Sequence, residues 1–202
     1  MQEPTRTEGS YAPRRASPFA ARVARTSEVR GGFFWGLLRL AIGWVFLWAF
    51  LDKLLALGFA TGRDPKTGEI DFFSSDAWIH GGSPTSGFLE FGLHTRDPFE
   101  AWYADLAGQG WVDWIYMISM AAIGIALILG IATRLAAIGG IIWMLLFYTA
   151  AAIWPENNPF MDEHLVYAIA LAGIAYVSAG RYVGLGRWWR RKDLVRRFPI
   201  LE

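Results

Sequence analysis

The chain has 202 residues, 54% of them apolar, 16% aromatic and only 18% charged, with a mean hydropathy of +0.28. A water-soluble domain of this length carries more charge and scatters its apolar residues; here they fall in long runs, which argues against a cytosolic enzyme. Cysteine is absent, which excludes disulfides, iron–sulfur clusters, cysteine-ligated zinc and thiol catalysis, and the net charge of +1 conceals an uneven distribution.

The chain opens on a basic stretch, 1–32, rich in Arg, Pro, Ser and Ala, that reads as a disordered tail or as one lying on anionic lipid. Arg14-Arg15 raises a twin-arginine export signal, but the rest of that consensus is missing, and the apolar run that follows is too long for the core of a secretory signal. That run, 33–59, is the first of four; the others are 111–130, 135–153 and 163–180. About 20 helical residues cross a hydrocarbon core of ~30 Å, so the second and third runs qualify on length alone. The fourth has only fifteen uncharged residues, Leu165 to Ala179, and needs snorkelling flanks or a thinner bilayer. The expected fold is an all-α bundle of four transmembrane helices.

Charge sets its direction. Six arginines face three acids up to Phe33, seven bases face two acids from Arg181 onward, and eight acids face three bases between Gly58 and Gly110. The positive-inside rule then places both termini in the cytoplasm and the loop 60–110 outside. That loop is long and aromatic enough to be an ordered cap, with Pro98 in the first turn of a short helix. The last stretch, 181–202, reads as a basic interfacial tail, with Trp188 and Trp189 at headgroup level. Nucleic acid is not an expected partner for a basic run beside a span.

Ionisable residues inside spans mark partners, cavities or substrate paths. Arg39 and Lys53 lie fourteen residues apart on one helical face with Gly43, Phe46 and Phe50, whereas Asp52 falls on another face with Val45 and Trp48. Lys53 is the strongest candidate for a binding role. Asp52, Asp113, Glu163 and His164 are expected at the same outer mouth, although Asp113, Asp162 and Glu163 have an ordinary alternative as helix caps and first-turn acids. Tyr116, Tyr148 and Tyr167 share helix faces with these groups and offer hydrogen bonds to a quinone or an oxyanion, or else form an aromatic belt. Arg39 and Arg134 are expected at the inner face, where lipid-phosphate contact or positive-inside anchoring explains them without any chemistry. Gly124, Gly130, Gly139, Gly140 and Gly173 permit close helix packing. No haem, flavin, dinucleotide or P-loop motif and no metal site is read, though a loop site using His80 and His94 remains an alternative.

Four stretches carry a resemblance: RLAIGWVFLWAFLDK (39–53), SDAWIHGGSPTSGFL (75–89), GIATRLAAIGG (130–140), and NPFMDEHLVYAIAL with AGRYVGLGRWW in the last third. Together they resemble the DoxX family, in its DoxD-like branch of thiosulfate:quinone oxidoreductase large subunits, over residues 33–190. The resemblance implies a multi-pass protein of a bacterial-type plasma membrane, working with other membrane subunits or copies of itself. It also implies electron transfer from a reduced sulfur compound to a membrane quinone, the expected cofactor. Arg39, Lys53 and Arg134 match motif positions, with no role attached. A non-catalytic accessory subunit of a respiratory or other membrane complex is the alternative, since no resident redox centre is readable.

Overall fold

The computed structural model describes residues 18–94, 98–153, 155 and 158–202, with side chains from 31 onward. The chain divides into two units, 1–31 and 32–202. Residues from Pro18 on belong to helix α1 (Pro18–Leu55). Residues 1–17 lie outside the described residues.

Five helices of the second unit matter most: the remainder of α1, then α2 (Ser86–Phe91), α3 (Glu100–Ala104), α4 (Gly110–Leu129) and α5 (Thr133–Phe147). The last continues as a π-helical segment, Tyr148–Ala152. They are followed by α6 (Glu163–Tyr176), α7 (Gly186–Trp189) and α8 (Asp193–Arg197). Among the described residues regular structure is all helical, and the isolated antiparallel bridge Arg63–Ile70 lies outside any strand. Three helices, Gly31–Leu55, Gly110–Leu129 and Thr133–Ala152, are long and apolar enough to cross a membrane. The fourth expected segment is helical for fourteen residues in α6, or ~21 Å at 1.5 Å per residue.

The helices meet over a core of Ile42 and Phe46 from α1, Met117, Met120 and Leu127 from α4, Ala137 and Met144 from α5, and Leu171 and Ile174 from α6. Glycine sets the spacing of α1 against α4: a Cβ on Gly124 would stand 2.6 Å from the Leu47 backbone nitrogen. The opposite faces show Trp44, Ile118, Ile125, Ile138 and Ile169 exposed, an arrangement that suits lipid and not water.

At one end α4 stops at Gly130, whose left-handed backbone (φ 75°) ends the helix, and α5 begins three residues later. Arg39 is wholly buried there. Its guanidinium donates to the Leu127 and Ile128 carbonyls in the last turn of α4, the latter at 3.2 Å, and to the Val183 carbonyl at 2.7 Å. Carbonyls in the last turn of a helix have no partner in their own helix, and a cation meets the negative end of the helix dipole. The lipid-phosphate role expected of Arg39 is therefore corrected: the residue is a buried clamp with no face toward lipid. Gly130 makes room for it, since a Cβ there would stand 2.9 Å from Arg39 Nη1.

Arg134 is half-buried next to this clamp and is also held by protein groups. It donates to Ser178 Oγ at 2.9 Å and the Pro199 carbonyl at 3.1 Å, pairs with Glu202 Oε2 at 3.4 Å, and gives its backbone N–H to the Glu202 carbonyl at 2.8 Å. The motif pieces around Gly130, Arg134 and Gly180 to Gly186 thus share one structural purpose, fastening the chain's last third to Arg39 of α1 and to the ends of α4 and α5 that meet near it.

Candidate functional site

The opposite end carries the long loop, folded as the expected cap. Its fastening starts in α1. Asp52, expected on another face of α1 than Lys53, is buried, because the chain leaves α1 through Ala56 in a left-handed conformation (φ 51°) and folds back over it. One carboxylate oxygen accepts the Phe59 N–H at 3.1 Å; the other accepts those of Ala60 at 2.8 Å and Thr61 at 3.1 Å. A carboxylate near a helix C-terminus opposes the helix dipole, and these three amides compensate it.

Asp113, in the first turn of α4, does the same for a second stretch of loop. Its Oδ1 accepts Ser83 Oγ at 2.9 Å, Thr85 Oγ1 at 2.7 Å and the Thr85 N–H at 3.1 Å. Trp78 adds an edge-on contact to Trp114, with ring centres 4.7 Å apart. Tyr103 of α3 ties the third piece: its hydroxyl lies 2.6 Å from Thr149 Oγ1 and donates to the Leu146 carbonyl at 3.2 Å. The last contact falls where α5 passes into its π-helical turn, a distortion that often accompanies functional sites. Farther out, the N–H groups of Lys66 and Thr67 donate to Asp64, holding its carboxyl below the usual range.

Under these three fastenings lies a cavity of about 800 Å³. Its walls are mainly aromatic and aliphatic: Phe88, Trp102 and Tyr103 from the cap, Trp111, Ile115 and Tyr116 from α4, and Ile142, Trp143 and Phe147 from α5. Trp143 meets Tyr116 edge-on at 5.4 Å and Phe147 at 5.5 Å. Arg63 and Asp76 stand at the exposed polar rim, while Ile115 (54% exposed) and Ile142 (53%) lie on helices long enough to span a bilayer. The lining therefore combines an exposed polar rim with exposed apolar residues of two long helices.

Lys53 lines this space half-buried. Among the described residues its ammonium makes no hydrogen bond and no ion pair within 4.0 Å; Tyr116 presents its ring at 6.0 Å, and the charges of Asp52 and Asp113 act on it from beyond ion-pair distance. Both carboxylates are engaged with the cap, which leaves the cation available to a ligand. Dry, apolar pockets with one or two fixed polar groups are the usual form of a small-molecule site.

Of the residues expected at the mouth, Lys53 and Tyr116 reach the cavity, and Asp52 and Asp113 flank it as anchors. Four do not line it. The Tyr148 hydroxyl donates to the Phe160 carbonyl at 2.9 Å. His164 Nδ1 lies 2.5 Å from Asp162, which also caps α6 by accepting the Leu165 N–H, and the imidazole packs behind Phe147 with centres 5.7 Å apart. Glu163 is exposed, and Tyr167 packs on the bundle core. His80 Nδ1 lies 2.9 Å from the Ser74 carbonyl, and no three His, Asp or Glu side chains among the described residues gather as a metal-ligand set.

Sequence reasoning missed Trp143 and Phe147, which line the cavity one helical turn apart, and the Ser83 and Thr85 pair that receives Asp113. The aromatic pair at i and i+4 was a readable signal for one face; the Ser-Thr pair was not, because its partner is thirty residues away.

Replacing Asp52 with alanine leaves three amides without an acceptor. The expected result is a loss of protection from hydrogen exchange confined to residues 57–62, with a cost of about 2 to 3 kcal/mol, while the Arg39 end keeps its protection. Unchanged exchange at Phe59 to Thr61 would contradict the anchoring role.

A scan against protein-family models, a search of curated proteins and a search of solved structures found no match to this chain.

Proposed function

We propose that the chain is a DoxX-like integral membrane subunit of a quinone-linked oxidoreductase, and that the capped cavity holds the quinone headgroup. The observation that carries this reading is the Lys53 ammonium, without a hydrogen bond or ion pair among the described residues, in an aromatic-walled pocket of about 800 Å³ whose lining includes both polar rim residues and exposed apolar residues of long helices. A neutral, planar ring lies against the wall formed by Trp143, Tyr116 and Phe88. Its apolar tail leaves past Ile115 and Ile142.

A quinone takes up two electrons and two protons to become quinol, and negative charge develops on its oxygens before the protons arrive. A fixed cation in a dry site stabilises that charge more than it stabilises the neutral quinone, which is the condition for favouring reduction. Lys53 is placed for that role, with Tyr116 lining the same wall. The electrons are assigned to a reduced sulfur compound or a partner subunit that receives them from one, following the resemblance. The four-span topology with both termini in the cytoplasm belongs to the same proposal, α6 and the turn Ala179–Arg181 making the fourth crossing of a thinned bilayer.

The test is gentle purification from the native membrane, followed by extraction and mass spectrometry of bound lipid-soluble redox cofactors. The expected result is near-stoichiometric quinone in the native chain and little in Lys53→Met. A quinone-free chain copurifying within a larger complex would overturn the reading in favour of an accessory subunit.

A further inference from the structure

The Arg39 end of the bundle carries a second, unrelated feature. The Leu185 N–H donates to the Leu129 carbonyl at 2.8 Å, so α7 begins level with the end of α4, and α8 follows it. For helices that cross a bilayer, this is the depth at which hydrocarbon gives way to headgroups. The exposed side chains here are of two kinds. Leu185, Trp188, Leu194, Phe198 and Ile200 present apolar surface, with Lys192 Nζ 4.4 Å from the Trp188 ring. Beside them a groove of about 510 Å³ is lined by Arg187, Arg190, Arg191, Arg196 and Glu202.

Glu202 is already engaged, with Oε1 at 3.2 Å from Arg190 and Oε2 at 3.4 Å from Arg134. Among the described residues the side chains of Arg187, Arg191 and Arg196 have no acidic partner. Three guanidinium groups around one groove repel one another, and a group bearing several anionic oxygens relieves that repulsion while accepting their forked N–H donors. We infer that this groove binds the phosphate of an anionic phospholipid, whose acyl chains lie along the exposed apolar residues. Those apolar flanks favour a lipid over free phosphate, which would gain nothing from them. The inference does not depend on the quinone reading.

The full chain is tested in mixed micelles by native mass spectrometry, titrated with phosphatidylglycerol, with phosphatidylcholine and with inorganic phosphate. Phosphatidylglycerol is expected to bind at least ~10-fold more tightly than phosphatidylcholine, with loss of that preference in the triple variant Arg187→Gln, Arg191→Gln, Arg196→Gln, and no competition from millimolar inorganic phosphate. If the triple variant does not fold, Arg191→Gln compared with Arg197→Gln, which lies outside the groove, decides: only the first should weaken binding. Equal affinity for the two lipids, wild-type binding by the variants, or displacement of the lipid by inorganic phosphate would overturn the inference.

Discussion

Exchanging Arg39 for methionine will destabilise the bundle by about 3 to 5 kcal/mol, the range for removing one partner from a buried charged network. Methionine fills a similar volume but donates nothing, so the carbonyls of Leu127, Ile128 and Val183 lose the donor that joins them. Water cannot easily replace it, because the side chain is wholly buried with Gly130 and Gly184 close against its guanidinium. In detergent the unfolding midpoint should fall by roughly 10 °C. Arg39→Lys should recover only part of this, since a single ammonium cannot reach carbonyls on both α4 and the segment after α6. An unchanged midpoint in Arg39→Met would show that the clamp contributes little.

Lys53→Met should have the opposite signature. Lys53 has no ion-pair or hydrogen-bond partner to lose among the described residues, and a half-buried cation without one is itself unfavourable. Stability is therefore expected to stay level or rise. Ligand affinity should fall by about 2 to 3 kcal/mol, the value of a charge-assisted hydrogen bond, which corresponds to roughly 30- to 150-fold. Lys53→Arg should retain part of the affinity. A residue that resists binding loss but costs stability is structural; one that costs binding and spares stability belongs to the site, as expected where function opposes stability. Thermal unfolding and equilibrium quinone titration on the same preparations separate the two.

Different parts of the molecule were legible in the sequence to different degrees. Hydrophobic run length located α4 within a residue and α5 closely, because twenty apolar residues in a row leave few alternatives to a long helix. The wheel grouped Arg39, Gly43 and Phe46 on one face of α1, and the structure buries all three, since residues on one face of a helix share one neighbour. It placed Asp52 on another face, and the burial of Asp52 comes from a loop that doubles back, a tertiary event no helical period records. Arg39 was misassigned for a related reason: an arginine near the end of a span reads the same whether it meets lipid phosphate or helix carbonyls. The distinction rests on Val183, far along the chain. The early start of α1 at Pro18 was hidden by charged residues that no apolar periodicity can detect. At the site, Lys53 stood out by its chemistry alone, but His164, Tyr148 and Tyr167 were grouped with it by depth. Helix rotation and the intervening Phe147 keep them out of the cavity.

The most direct measurement is photoaffinity labelling of the full chain in membranes with an azido-quinone bearing an isoprenoid tail, followed by peptide mapping with and without excess unlabelled quinone. If the capped cavity is the quinone site, label will concentrate on peptides containing Trp102, Tyr116, Trp143 or Phe147, be displaced by unlabelled quinone, and drop sharply in Lys53→Met. Labelling spread along the lipid-facing residues Trp44, Ile118 and Ile125, indifferent to competitor and to Lys53, would contradict it.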